Sequence, residues 1–121
     1  MAHFARINTD NIVEEVIVVA NEDCGGGSFP ASEPIGQTFI ASLGLTGQWL
    51  QTSYNSNFRH TYALPGSEYR SEQDIFIHPK PYPSWVLDSN YDWIAPVPHP
   101  TEGRFVWDEE TLAWVEVPAG L

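Results

Sequence analysis

The sequence predicts a mainly β protein: a small single domain of successive antiparallel hairpins with one short helix. Three observations carry that expectation. Ten prolines and nine glycines punctuate a chain of 121 residues and leave almost no room for a long helix. A β-branched run over residues 12–19 follows the turn-forming Asn8-Thr9-Asp10-Asn11. The C-terminal third repeats itself. Phe76-Ile77-His78-Pro79-Lys80-Pro81-Tyr82-Pro83 returns 17 residues later as Trp93-Ile94-Ala95-Pro96-Val97-Pro98-His99-Pro100. A looser copy runs from Phe105-Val106-Trp107-Asp108 to Trp114-Val115-Glu116-Val117-Pro118, echoing Trp85-Val86-Leu87-Asp88 and Trp93-Ile94 with one residue more between its arms.

The elements follow in order. Residues 3–7 alternate and pair with residues 12–19 as an opening hairpin. The second arm ends in the continuous apolar run Val16-Ile17-Val18-Val19, so this strand is expected to be buried on both faces or to lie against another subunit. Residues 21–30, with Gly25-Gly26-Gly27, read as a flexible loop. Ser32 stands as a helix cap with Pro34 two places on, and Ile35, Phe39, Ile40 and Leu43 share one helical face. A helix over 33–43 closed by Gly44 is expected, weakened by Gly36. Residues 48–54 read as a strand, and 58–63 as a strand or extended segment. Within the single domain 1–121, residues 1–66 hold the hairpin, loop, helix and strands. Residues 67–121 hold three Trp/Asp hairpin repeats separated by Pro-x-Pro spacers, which fix φ, remove amide donors and discourage stray strand pairing.

Composition narrows the function. Sixteen acidic against five basic side chains give a formal net charge of −11, which disfavours nucleic acid and acidic membrane surfaces as partners. No run approaches the length of a membrane span, and the N-terminus lacks the basic end and apolar stretch of a signal peptide. Cys24 is the sole cysteine, so no disulfide framework exists, and assembly in a reducing cytoplasm is expected.

No catalytic, cofactor or metal site is read from the residues. The four histidines (His3, His60, His78, His99) are scattered singly. Asp88, Asp92, Asp108, Glu109, Glu110 and the Glu14-Glu15 pair could be cast as an acid and a base. Asp88 and Asp108 nevertheless occupy the same place in their repeats, entering a turn, where an aspartate caps turn amides. Four of the five tryptophans, Trp85, Trp93, Trp107 and Trp114, form an aromatic ladder that is a structural core of the hairpins or, alternatively, a platform for sugar rings.

These residues carry a resemblance. The opening Met1-Ala2-His3-Phe4-Ala5, then Trp49-Leu50-Gln51-Thr52-Ser53-Tyr54-Asn55, Lys80-Pro81-Tyr82-Pro83-Ser84-Trp85-Val86-Leu87, Ala95-Pro96-Val97-Pro98, Val106-Trp107-Asp108-Glu109-Glu110 and Trp114-Val115-Glu116-Val117 resemble a family of small proteins of tailed cyanobacterial phages. The resemblance spans nearly the whole chain and departs most over residues 22–47. It implies a virion protein without enzymatic activity or cofactor, made in the host cytoplasm and released by lysis. A capsid decoration or cement protein on the outer head surface is expected, partnered by the major capsid protein or other virion proteins and by further copies of itself. Phe4, Ile7, Val16, Ile17, Val18 and Val19 are the expected attachment or oligomerisation surface. The alternative is a tail-fibre-associated or receptor-binding module gripping host polysaccharide through the tryptophan ladder.

Overall fold

The computed structural model describes residues 1–118. It is mainly β with one helix, as the sequence predicts: strands β1 (Ala2–Ile7), β2 (Val13–Val19), β3 (Gln48–Thr52), β4 (Glu68–Arg70), β5 (Ile75–Ile77), β6 (Val86–Leu87), β7 (Trp93–Ile94), β8 (Phe105–Asp108) and β9 (Ala113–Glu116), and helix α1 (Ser32–Ser42). They form two compact units, Met1–Pro79 and Lys80–Leu121. The boundary between these units, 79/80, lies inside the repeat region that begins at residue 67. The first hairpin of the repeat region, β4–β5, belongs to the first unit because Phe76 and Ile77 are fully enclosed in its core.

In the first unit a three-stranded antiparallel sheet has the order β2-β1-β3. Successive side chains on a strand point to opposite faces, and here both faces are covered. Ala2, Phe4, Val19 and Trp49 pack with Ile40 of α1 and Cys24, joined by Ile17 and Phe39. Ala5, Ile7, Val13 and Leu50 pack with Ala63 and Phe76, joined by Val16 and Tyr69. Two-faced burial accounts for the apolar run of β2: Val16 serves one core, Ile17 and Val19 the other. Only Val18 stands out, 54% exposed.

Helix α1 begins one residue earlier than the sequence suggests, and Ser32 does not cap it. Its hydroxyl is buried and donates to Gln51 Oε1 at 2.7 Å, tying helix to sheet. Gly44 follows the helix at φ +81°, with its amide donating to the Ala41 carbonyl, the expected left-handed stop. Gly36 has a packing reason: a Cβ there would lie 2.3 Å from Phe4 Cζ and 3.0 Å from Cys24 Sγ. The loop after β2 is built on a 3-10 turn (Asn21–Cys24), and the Cys24 thiol is buried, not exposed.

Residues 58–63 form no strand. Arg59 and His60 both take positive φ, 55° and 71°, which no β ladder accommodates.

The hairpin turns alternate between two designs. Asn8 and Asp88 each accept two turn amides on a side-chain oxygen, from Asp10 and Ile12 in one case and from Asn90 and Asp92 in the other. Asn11 and Tyr91 then take the left-handed conformation at φ 62° and 63°. Counted between the last paired residues, Asn8/Ile12 and Asp88/Asp92 in that design against Arg70/Ile75 and Asp108/Ala113 in the other, the β4–β5 and β8–β9 turns are one residue longer and place Asp74 and Leu112 at φ 55° and 53°. The extra residue of the looser repeat thus lies in its turn.

Candidate functional site

The proposed attachment residues do not act together. Phe4, Ile7 and Val19 are core residues, 0%, 4% and 3% exposed, and cannot meet a partner. Their apolar character is used within the fold. Val16 and Ile17 are half-buried. Val18 remains, directly across from His3 on β1 and so on the same face of the sheet. The His3 ring stacks on Tyr54 at 5.5 Å and meets Tyr62 edge-on at 5.6 Å. Tyr54 is 67% exposed. Burial and the nearby N-terminal amino group both hold the His3 imidazole below its usual pKa. Strand β2 is also an edge. Val13 exchanges backbone hydrogen bonds with Gly66 and Ser67, but among the described residues no strand pairs with the outer side of Glu14 to Val19. The surface that the structure offers is therefore Val18 on the open strand edge, with half-buried His3 and exposed Tyr54 across the sheet from it. Tyr54 was legible only as the end of a predicted strand.

The four ladder tryptophans lie in the second unit. Trp107 and Trp114 are cross-strand partners on β8 and β9, 5.2 Å apart and edge-to-face. Trp85 meets both edge-on, at 6.0 and 6.1 Å. Trp107 is buried and the other three are half-buried. This is a nest, not a row of exposed rings: strands of two to four residues are too short to set indoles side by side along a face. Glu109 pins it, accepting from Trp107 Nε1 at 2.9 Å and from the Ser84 hydroxyl at 2.7 Å. These bonds, the Trp107 bond first, hold its carboxyl below the ordinary glutamate range. One side of the nest opens into a cleft of about 570 Å³ bounded by Trp85, Trp93, Trp114, Pro96, Pro98 and His99.

The acidic side chains considered for acid–base work have local tasks. Asp88 caps its turn, as does Asp108, which accepts from the Glu110 amide and the Thr111 hydroxyl. Glu14 and Glu15 hold Arg6 at 3.1 and 2.9 Å. Among the described residues no group of three or more His, Cys, Asp or Glu side chains converges to hold a metal.

A polar cluster of the first unit escaped the sequence reading. The Arg59 guanidinium, whose side chain is 8% exposed, pairs with Glu33 of α1 through both terminal nitrogens. It also donates from Nε to Asp74 Oδ1 at 2.8 Å and from Nη1 to the Gln51 carbonyl at 2.9 Å. Glu33 in turn accepts the Gln51 amide, and Tyr69 donates its phenol to Asp74 at 2.6 Å. The guanidinium lies over the Phe29 ring, which stacks on Phe58 with 3.9 Å between centroids. Burial, then the bond to Asp74, pushes the Tyr69 phenol up to about 12. Burial opposes ionisation of Asp74, but the bonds from Tyr69 and Arg59 outweigh it and lower its pKa. The carboxylate partners of Arg59 lie 15 and 26 residues away and leave no local spacing to read. The cluster joins helix, sheet and the β4–β5 turn, with both Glu33 oxygens and Asp74 Oδ1 engaged within the fold.

No protein-family model, curated protein or solved structure matches the chain. Among the described residues no helix is long and apolar enough to cross a membrane.

Proposed function

We propose that the chain is a structural protein of a tailed-phage particle, a decoration or cement protein held on the outer head surface. The observation that carries this reading is the open edge of β2 with the exposed Val18 on it, next to the half-buried His3 of β1, on which the exposed Tyr54 stacks. An unpaired strand edge with an apolar side chain next to it is a template for adding a strand from another chain, whether a capsid subunit or a second copy. Glu14 and Glu15 guard the other end of the strand with charge, leaving the Val18 end for pairing. The sequence resemblance to cyanophage proteins supports the setting, and the net charge of −11 would keep decorated particles apart. The polysaccharide reading draws less support from the geometry, because Trp85, Trp107 and Trp114 nest edge-to-face and present no exposed row.

Deleting the hairpin would remove core residues, so point changes test the reading. Purified wild-type protein added to particles that lack it is expected to bind to saturation. Val18→Asp and Tyr54→Ala are expected to fold normally and bind poorly. Unchanged binding by both variants would overturn the assignment of this surface.

A further inference from the structure

The cleft of the second unit lies apart in sequence from the β2 edge and differs from it in chemistry. It is lined by Trp85, Trp93 and Trp114 and by the spacer Pro96-Val97-Pro98. Indole and pyrrolidine rings have little conformational freedom to lose, so a ligand entering here meets a preformed surface. The polar groups are largely spent. Trp114 Nε1 donates to the Val97 carbonyl at 2.8 Å, tying that indole directly to the spacer. Trp85 Nε1 is enclosed, without a partner among the described residues and out of reach of a ligand. His99 Nδ1 lies 2.6 Å from the Pro100 carbonyl.

A sugar carries a hydroxyl on almost every ring carbon, and each one buried here without a partner would be penalised. An apolar side chain meets no such penalty. Charge then selects the chain that bears it. The sequence from Lys80 onward holds seven carboxylates against Lys80 and Arg104. Lys80 Nζ already lies 5.8 Å from the Trp93 ring centre, so an indole face at this site accommodates a cation. A second copy would bring a further net charge of −11 and is disfavoured as the occupant.

We infer that this cleft binds a basic segment of a partner protein, whose apolar side chains enter the space lined by the indoles and the proline spacer while its Lys or Arg residues are drawn by the net negative charge of the same unit. This site is independent of the β2 edge, and its partner need not be the capsid protein.

The test uses the full chain and a panel of short synthetic peptides in which Arg or Lys alternates with Leu, Phe, Met or Pro. Matched peptides with Glu in place of each cation and a panel of oligosaccharides complete the set, all titrated by tryptophan fluorescence. Basic peptides are expected to saturate the signal, with the Glu versions at least about tenfold weaker and affinity falling as salt is raised. Val97→Lys, at a position 42% exposed, is expected to weaken binding at least about tenfold without changing the unfolding transition, and Ile94→Gln to weaken it less. Saturation by an oligosaccharide that Val97→Lys abolishes, equal binding of the Glu peptides, or no response to any peptide would each overturn the proposal.

Discussion

Replacing Gly36 by alanine sets helix propensity against packing. In an isolated helix the change is favourable by about 1 kcal/mol. In this fold the new Cβ would lie 2.3 Å from Phe4 Cζ, 2.8 Å from Phe4 Cε2 and 3.0 Å from Cys24 Sγ. Carbon atoms in contact sit at roughly 3.5–4.0 Å, so ring and helix must separate by more than an ångström. Phe4 is fully buried at the centre of the helix-side core, and Cys24 is 1% exposed, so neither can swing into solvent. Overpacking of this kind costs about 1–3 kcal/mol, and a displacement this large belongs at the upper end. The net expectation is a loss of about 2 kcal/mol. For a unit of this size that lowers the midpoint by about 8–16 °C. Thermal and urea unfolding followed by far-ultraviolet circular dichroism measures it. Phe4→Leu destabilises by itself but removes the ring atoms in the way, so the double variant should cost less than the sum of the singles. An alanine variant as stable as wild type, or additive behaviour of the pair, would refute the close approach of α1 to β1.

Further outcomes follow from the same physics. Arg59→Met should destabilise the first unit by about 3–5 kcal/mol, because it strands the Glu33 carboxylate without its partner. Adding Glu33→Gln should recover part of the loss in urea titrations. The Tyr69 phenol titrates near 12 in the folded chain against 10 unfolded. Its contribution is therefore full below pH 10 and is lost as pH rises towards 12, a dependence that Tyr69→Phe should reduce. Asp74 has the opposite sense: its pKa is lowered from 3.8, so its contribution is present above that pH and lost as pH falls through the folded value, which Asp74→Asn should abolish. Leu112→Gly relieves a left-handed residue at φ 53° and should stabilise the second unit by about 0.5–1 kcal/mol, read by the fluorescence of its four tryptophans.

The parts of the fold written in local chemistry were legible. The Asn8 turn and the β-branched run announce β1 and β2, and the register of the proline repeat locates the later hairpins because Asp88 and Asp108 do the same capping work. Long-range pairing was not legible. Residues 58–63 look extended, yet Arg59 is drawn into the left-handed region where its guanidinium reaches Glu33, Gln51 and Asp74. The repeat conceals the division between units, since Phe76-Ile77 and Trp93-Ile94 read alike but the former fills the first unit's core. The apolar run of β2 suggested a partner surface. In the fold it is divided between two cores, and Val18, with His3 and Tyr54, is what remains outside. That remainder depends on which strands pair, which no single stretch of sequence specifies.

The proposed role on the particle is tested most directly by quantitative mass spectrometry of purified particles of the phage proposed to encode this chain, with its peptides scaled to those of the major capsid protein. The account predicts a copy number comparable to that of the capsid lattice. A stoichiometry confined to the tail, or absence from the particle, would contradict it.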